Sequence, residues 1–197
     1  MHFQRHPAAG PVIPDGPLPL AEGEAAAAIE LRTDTIDSEL GPIVIVTDAR
    51  ALCALDFGDC EERMKELLTR RFEDLVLRHE ANPLGVSEKV RAYLAGDLHS
   101  LDGIAVDPGG TEFQQTVWSA LRKIPAGTTR TYGQLAARIG RPTASRAVGL
   151  ANSLNPVAIV IPCHRVIGSN ASLTGYAGGL PRKQWLLRHE GALFRLH

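Results

Sequence analysis

The chain reads as an α+β protein in two parts: a small α+β domain over residues 28–105, then a helical domain over 111–197 that contains a helix-turn-helix. Three features carry that reading. Short β-branched runs separated by turn residues fill 29–57, and helical spacing takes over from Glu61. In the second half, Thr111 and Thr131 are each followed three residues later by glutamine, Gln114 and Gln134. That is the signature of a capping box, in which the two side chains satisfy each other's free backbone N–H groups at a helix start. Charge divides the chain at the same place. Residues 111–197 hold 11 Lys+Arg against 2 Asp+Glu, a net +9, while 1–110 hold 10 against 20, a net −10. The overall −1 hides a basic half of the kind that binds nucleic acid, joined to an acidic partner domain.

With 197 residues the chain is long enough for one large domain or two small ones with real cores. Hydrophobic residues make up 44% and charged ones 22%, which excludes an intrinsically disordered chain. No apolar run approaches the roughly 18 residues of a membrane helix, and no basic n-region with an apolar h-region opens the chain. Three cysteines at irregular spacing argue against a disulfide framework and for a reducing compartment, cytoplasm or nucleoid. Cys53 and Cys60 have no histidine at ligand spacing, so Cys53 reads as core rather than a zinc ligand.

In chain order, residues 1–27, rich in Pro, Gly and Ala, read as a flexible leader. Ile29 to Thr33, Ile43 to Thr47 and Leu52 to Phe57 follow as three strands of an antiparallel meander. Met64, Leu67, Leu68, Phe72, Leu75 and Val76 predict one helix over Glu61 to Arg78, and a second, shorter helix runs over Val86 to Leu94. Asp107-Pro108-Gly109-Gly110 is the domain boundary. Beyond it come a helix from Thr111, one face lined by Phe113, Val117, Leu121 and Ile124, and a helix from Thr131 ending at Gly140. A third starts near Thr143 and runs toward Leu154. The last two, joined by a tight Gly-containing turn, fit a helix-turn-helix. The final helix opens with Leu180-Pro181 and ends at His189-Glu190-Gly191.

The third helix is unusual for a major-groove reader, because Ala144, Ser145, Ala147, Gly149 and Ala151 are small. A small face with the single long side chain of Arg146 suits close approach to the minor groove and insertion into the base stack. The chemistry gathers in the stretch Val157 to Val166. Val157-Ala158-Ile159-Val160-Ile161 reads as a buried strand, Pro162 ends it, and Cys163, His164 and Arg165 follow. A thiol becomes a strong nucleophile when positive charge or a base lowers its pKa.

Ile161-Pro162-Cys163-His164-Arg165-Val166, with Asn155-Pro156 upstream and Gly175-Tyr176-Ala177-Gly178-Gly179 downstream, resembles the methylated-DNA–protein-cysteine methyltransferases. These repair proteins remove alkyl groups from the 6-oxygen of guanine. The resemblance spans 111–197 nearly end to end and extends more weakly over 30–105. It implies an N-terminal RNase H-like α/β domain and a winged-helix-like C-terminal domain with the helix-turn-helix. Cys163 is then the acceptor in an irreversible single-use displacement, activated by Glu190 and His164 through a water. Adjacent side chains on an extended backbone point opposite ways, so His164 is not expected to touch the thiol. By the same resemblance Tyr132 pushes a phosphate and protonates the departing guanine, and Arg146 fills the gap left by the flipped base. Asn155 bridges the helix-turn-helix to the active-site loop. Tyr176, Ala177, Gly178 and Val166 frame the base pocket, while Ala144, Ser145, Ala147 and Gly149 meet DNA. Where some relatives have serine the chain has Ala177, which predicts a shifted alkyl-group preference. The implied partner is alkylated double-stranded DNA, with no membrane, cofactor or metal and a monomeric protein. Repair of 4-O-methylthymine and cooperative binding along DNA stay open. Two other readings compete: a cysteine hydrolase using Cys163 and His189, and a DNA-binding regulator that only senses alkylation.

Overall fold

The computed structural model describes residues 28–193, so the leader lies outside the described residues, as do 194–197. Three strands form the expected meander: β1 (Ile29–Ile36), β2 (Ile43–Thr47) and β3 (Leu52–Phe57), with Thr33 opposite Val46 and Ile45 opposite Leu55. Alternation along β2 sends neighbouring side chains to opposite faces. Val46 packs with Leu31, Ala54, Met64 and Leu68 under helix α1 (Glu61–Thr69). Ile45 joins Leu55, Val90 and Tyr93 under helix α2 (Val86–Leu94).

The helix predicted over Glu61 to Arg78 is half wrong. It stops at Thr69, and Leu75–His79 is a strand, β4, pairing parallel to β1 at the sheet edge. Sheet order is therefore β3-β2-β1-β4. The apolar positions Leu75 and Val76 fit helical spacing by coincidence. As an edge strand β4 is largely exposed, so it carries no alternation to betray it, and its partner lies across a long crossover.

The second half is helical: α3 (Glu112–Arg122), α4 (Tyr132–Arg138), α5 (Ser145–Ser153) and α6 (Leu180–His189). Both capping boxes form. Gln114 N–H donates to Thr111 Oγ1 at 3.3 Å and Gln134 N–H to Thr131 Oγ1 at 3.1 Å, with each glutamine carbonyl accepting the threonine N–H in return. Helix α5 starts at Ser145, two residues beyond the expected Thr143, and Ala144 before it has no side-chain oxygen to cap it. Two residue-pairs of parallel sheet that the sequence did not suggest, β5 (Arg130–Thr131) with β6 (Val166–Ile167), hold the start of α4 beside the segment after Arg165.

Val157–Ile161 is not a strand. All five residues are buried, but 158–160 turn, and Ile159 sits at φ +66°, a left-handed conformation that β-branched residues rarely adopt. Burial explains the apolar composition without any sheet. Its one ladder contact among the described residues is a parallel bridge to the buried outer edge of β3: Leu55 N–H donates to Pro156 O at 3.0 Å, and Ala158 N–H to Leu55 O at 2.7 Å. One continuous core runs through Leu55, Phe57 and Tyr93 of the sheet domain and Val117, Leu121 and Ile161 of the helical one. No helix among the described residues is long and apolar enough to cross a membrane.

Candidate active site

Asn155, 2% exposed, organises the turn that delivers the thiol. Its Nδ2 donates to Ile161 O at 2.8 Å and Val157 O at 3.3 Å, and its Oδ1 accepts from Val157 N–H at 3.0 Å. These bonds satisfy backbone groups that a buried irregular loop would otherwise leave unpaired. Pro162 follows, then a single 3-10 turn over Cys163–Arg165. Cys163 is 5% exposed. Burial pushes its thiol up. The Asn155 amide and the charges of Lys183 and Arg63 bring it part of the way back, and Asp56 opposes them. At rest the sulfur is therefore protonated, contrary to the idea that neighbouring cations alone make it a thiolate.

The base beside it is set by its own partners. His164 Nε2 lies 3.0 Å from Glu190 Oε1, both side chains fully buried. Burial lowers the imidazole's pKa more than Glu190 raises it, so the ring is neutral at pH 7. Glu190 is ionised: burial alone would raise its carboxyl, but His164 and Arg165 hold it well below the usual carboxylate range. A neutral ring facing a carboxylate through Nε2 must carry its hydrogen there. That leaves the Nδ1 lone pair as the free basic site, and Nδ1 has no partner among the described residues. No hydrogen bond joins His164 to the Cys163 thiol among them, although the backbone is a 3-10 turn rather than the extended chain expected.

Glu190 has two further partners. Arg165 grips it in a fork, Nε to Oε2 at 2.9 Å and Nη2 to Oε1 at 2.7 Å, and donates through Nη1 to Ile124 O. Tyr93, from α2 of the other domain, donates its hydroxyl to Oε1 at 2.7 Å. His189 is occupied elsewhere: its Nε2 lies 2.7 Å from Tyr93 O and its ring stacks on Trp185.

The remaining site residues frame the same region. Tyr132 opens α4, half-buried, and its hydroxyl accepts from Thr174 Oγ1 at 3.1 Å. Burial pushes its phenol up, with Thr174 easing it down and Cys163 adding to the rise. The Tyr176 ring stands edge-on to Phe57 with centroids 6.4 Å apart, and its buried hydroxyl has no partner among the described residues. Gly178 is a glycine for want of room. A Cβ there would lie 2.5 Å from the Phe57 ring and 2.9 Å from the Tyr176 ring. We expect Gly178→Ala to cost about 1–3 kcal/mol of stability through overpacking, read as a lower thermal midpoint. Ala177 is exposed and its carbonyl faces Cys60 Sγ at 3.8 Å.

On α5 the small residues divide. Arg146, Ala147 and Leu150 point outward, while Val148, Ala151 and Asn152 are buried. Ala144, Ser145 and Gly149 are half-buried, and a Cβ on Gly149 would stand 3.8 Å from the Tyr132 ring.

Four groups of the site were not anticipated from the sequence. Lys183 is wholly buried, donates to Val166 O at 2.6 Å and Thr174 O at 3.0 Å, and is pushed down to about 8 by burial. Its signal was present in the spacing of Lys183, Leu186 and Leu187, which share one helical face. Tyr93, Asp56 and Arg63 come from the sheet domain, and no local pattern points to them.

Two family models cover most of the chain: the 6-O-methylguanine DNA methyltransferase ribonuclease-like domain matches residues 31–108 and the DNA binding domain of the same family matches 112–192. The methylated-DNA–protein-cysteine methyltransferase of Salmonella typhimurium is 49% identical over 173 residues, 84% of this chain and 98% of that protein. That of Methanosarcina acetivorans is 47% identical over 79% of this chain and 96% of its own length. Among solved structures, the Mycobacterium tuberculosis OGT in complex with DNA aligns with TM-score 0.70 and 41% identity over 83% of this chain and 93% of that one.

Proposed function

The chain belongs to the 6-O-methylguanine DNA methyltransferase family, and from that premise we propose that Cys163 is the acceptor to which it moves the alkyl group. Its activity is direct-reversal repair of DNA by alkyl transfer. The observation that best supports the assignment is a buried thiol one residue from a neutral imidazole whose far nitrogen is held by an ionised carboxylate. Burial keeps the resting thiol protonated and inert, so a base must act as substrate arrives. The free Nδ1 of His164 takes the thiol proton through a water, and Glu190 stabilises the imidazolium that results. Sulfur then forms a bond to the alkyl carbon as the carbon–oxygen bond to guanine breaks. The electron pair goes to the guanine, and the Tyr132 hydroxyl supplies the proton that neutralises it. The thioether product has no route back, so each molecule acts once.

DNA is the partner. We place its minor groove against α5, where the outward face offers one long cation, Arg146, among small side chains. A base inside a duplex must leave the stack to reach a buried thiol, and Arg146 fills the space it vacates. Tyr176, Gly178 and Val166 then frame the flipped base, and a single copy of the chain suffices. A hydrolase built on His189 has no support, since that ring is bonded to Tyr93 and stacked on Trp185.

Peptide mapping after incubation with duplex carrying labelled 6-O-methylguanine places the label on the Cys163 peptide; label on Cys53 or Cys60 overturns the assignment. Arg146→Ala slows repair of duplex more than reaction with free 6-O-benzylguanine, and equal losses on both substrates contradict the gap-filling role.

A further inference from the structure

The sheet domain reaches into the site through the Asp56–Arg63 ion pair as well as through Tyr93. Asp56 on β3 is 1% exposed and pairs with Arg63 on α1. The Arg63 Nη2 donates to Ser153 O and to Asn155 O, each at 2.8 Å. Ser153 is the last residue of α5. Carbonyls at a helix end have no partner within the helix and carry partial negative charge, so a guanidinium is well matched there. Asn155 is the residue whose side chain holds the 155–161 turn, so Arg63 holds by the backbone what holds the Cys163 loop. The β3 edge grips the same turn from the next residue, Leu55 exchanging two hydrogen bonds across Val157. Only Leu154 separates the two carbonyls, and this is the whole covalent link between the outward helix and the turn that leads to the thiol.

We propose that Arg63, oriented by Asp56, is a positioning residue for alkyl transfer: it locks the junction between the DNA-facing helix and the Cys163 loop, so that duplex docked on α5 is in register with the sulfur. The proposal rests on the assignment of Cys163 and α5 above. A planar fork is needed to span two carbonyls and a carboxylate together, and a lysine ammonium lacks that geometry. Misplacement of reacting atoms by about 1 Å costs on the order of a hundredfold in rate. A loosened junction therefore lowers the first-order transfer rate at saturating duplex while leaving the surface that binds DNA intact.

Charge gives a second readout. The groups facing Cys163 are Lys183 from α6, Arg63 from α1, Asp56 from β3, Tyr132 from α4, Tyr176 from the glycine-rich loop, and the adjacent His164. Arg63 lowers the thiol and Asp56 raises it. Arg63→Met therefore moves the pH–rate profile to higher pH, and Asp56→Asn moves it to lower pH. Arg63→Lys keeps the charge and leaves the profile in place.

The test is single-turnover transfer from methylated duplex at saturation, with binding measured separately and the thermal midpoint of each variant recorded. Arg63→Lys and Arg63→Met transfer about 10- to 100-fold more slowly, with duplex Kd within about twofold of wild type. Arg63→Lys, which still neutralises Asp56, decides the case if Arg63→Met is unstable. Wild-type rates in Arg63→Lys, a loss confined to Kd, or profiles that shift the same way in Arg63→Met and Asp56→Asn overturn the proposal. Methyl found on another residue of the wild-type protein overturns the functional reading instead.

Discussion

Cys163→Ser abolishes methyl transfer and leaves duplex binding unchanged. The substitution is nearly isosteric, so the turn held by Asn155 and the Cys163 N–H bond to Ile161 O at 2.7 Å remain. The chemistry does not survive. A hydroxyl is a far weaker acid than a thiol, so the neutral His164 that suits a thiol cannot produce an alkoxide in a buried site. Loss of a nucleophile removes about a thousandfold or more of the rate. Single-turnover transfer from labelled duplex measures it, and a gel-shift titration shows that the variant still binds duplex. Burial raises all three thiols, Cys53 to about 11, so what sets Cys163 apart is the His164–Glu190 pair beside it.

Glu190→Gln has the second-largest effect, and it acts on folding as well as on rate. The carboxylate is 5% exposed and accepts from Tyr93, His164 and both arms of the Arg165 fork. An amide keeps the shape but leaves the Arg165 guanidinium without its counter-charge. Breaking a buried pair in this way costs about 3–5 kcal/mol, or roughly 6–20 °C in thermal midpoint for a chain of this size. The pH dependence follows from the sign of the shift. Because the folded-state pKa of Glu190 is depressed, its stabilisation is fully present above the ordinary glutamate value of about 4.3. It is lost as pH falls through the folded-state value. The gap between wild type and Glu190→Gln therefore narrows in acid, and a gap that widens there would contradict the ion pair. Transfer also slows, by about 10²- to 10⁴-fold, because His164 loses the group that fixes its proton on Nε2 and stabilises its charged form.

How much of this was legible depended on how local each signal was. The capping boxes at Thr111 and Thr131 placed two helix starts correctly because both partners lie within one turn of chain. The β1–β3 meander was readable for the same reason. β4 was not, since its partner β1 lies across a crossover and an exposed edge strand carries no alternation. Val157–Ile161 was misread because burial alone selects apolar, β-branched residues. The backbone there is satisfied by the Asn155 side chain, which looks the same in sequence whether it clamps a loop or faces water. The residues of the site's own loop, Cys163 and His164, stood out because three polar groups follow a proline after a buried run. Glu190 was placed in the site only through the family resemblance, and the structure puts it on His164 and Arg165. Asp56, Arg63 and Tyr93 approach from the other domain across about ninety residues or more of chain, and only the fold reveals them.

The most direct test of the account is the intact mass of the protein after reaction with an excess of duplex containing 6-O-methylguanine. The account predicts that the mass rises by one methyl group per molecule and then stops, with repaired guanine equal in amount to the protein consumed. Repair continuing beyond one equivalent, or a protein of unchanged mass after repair, would contradict a single-use acceptor at Cys163.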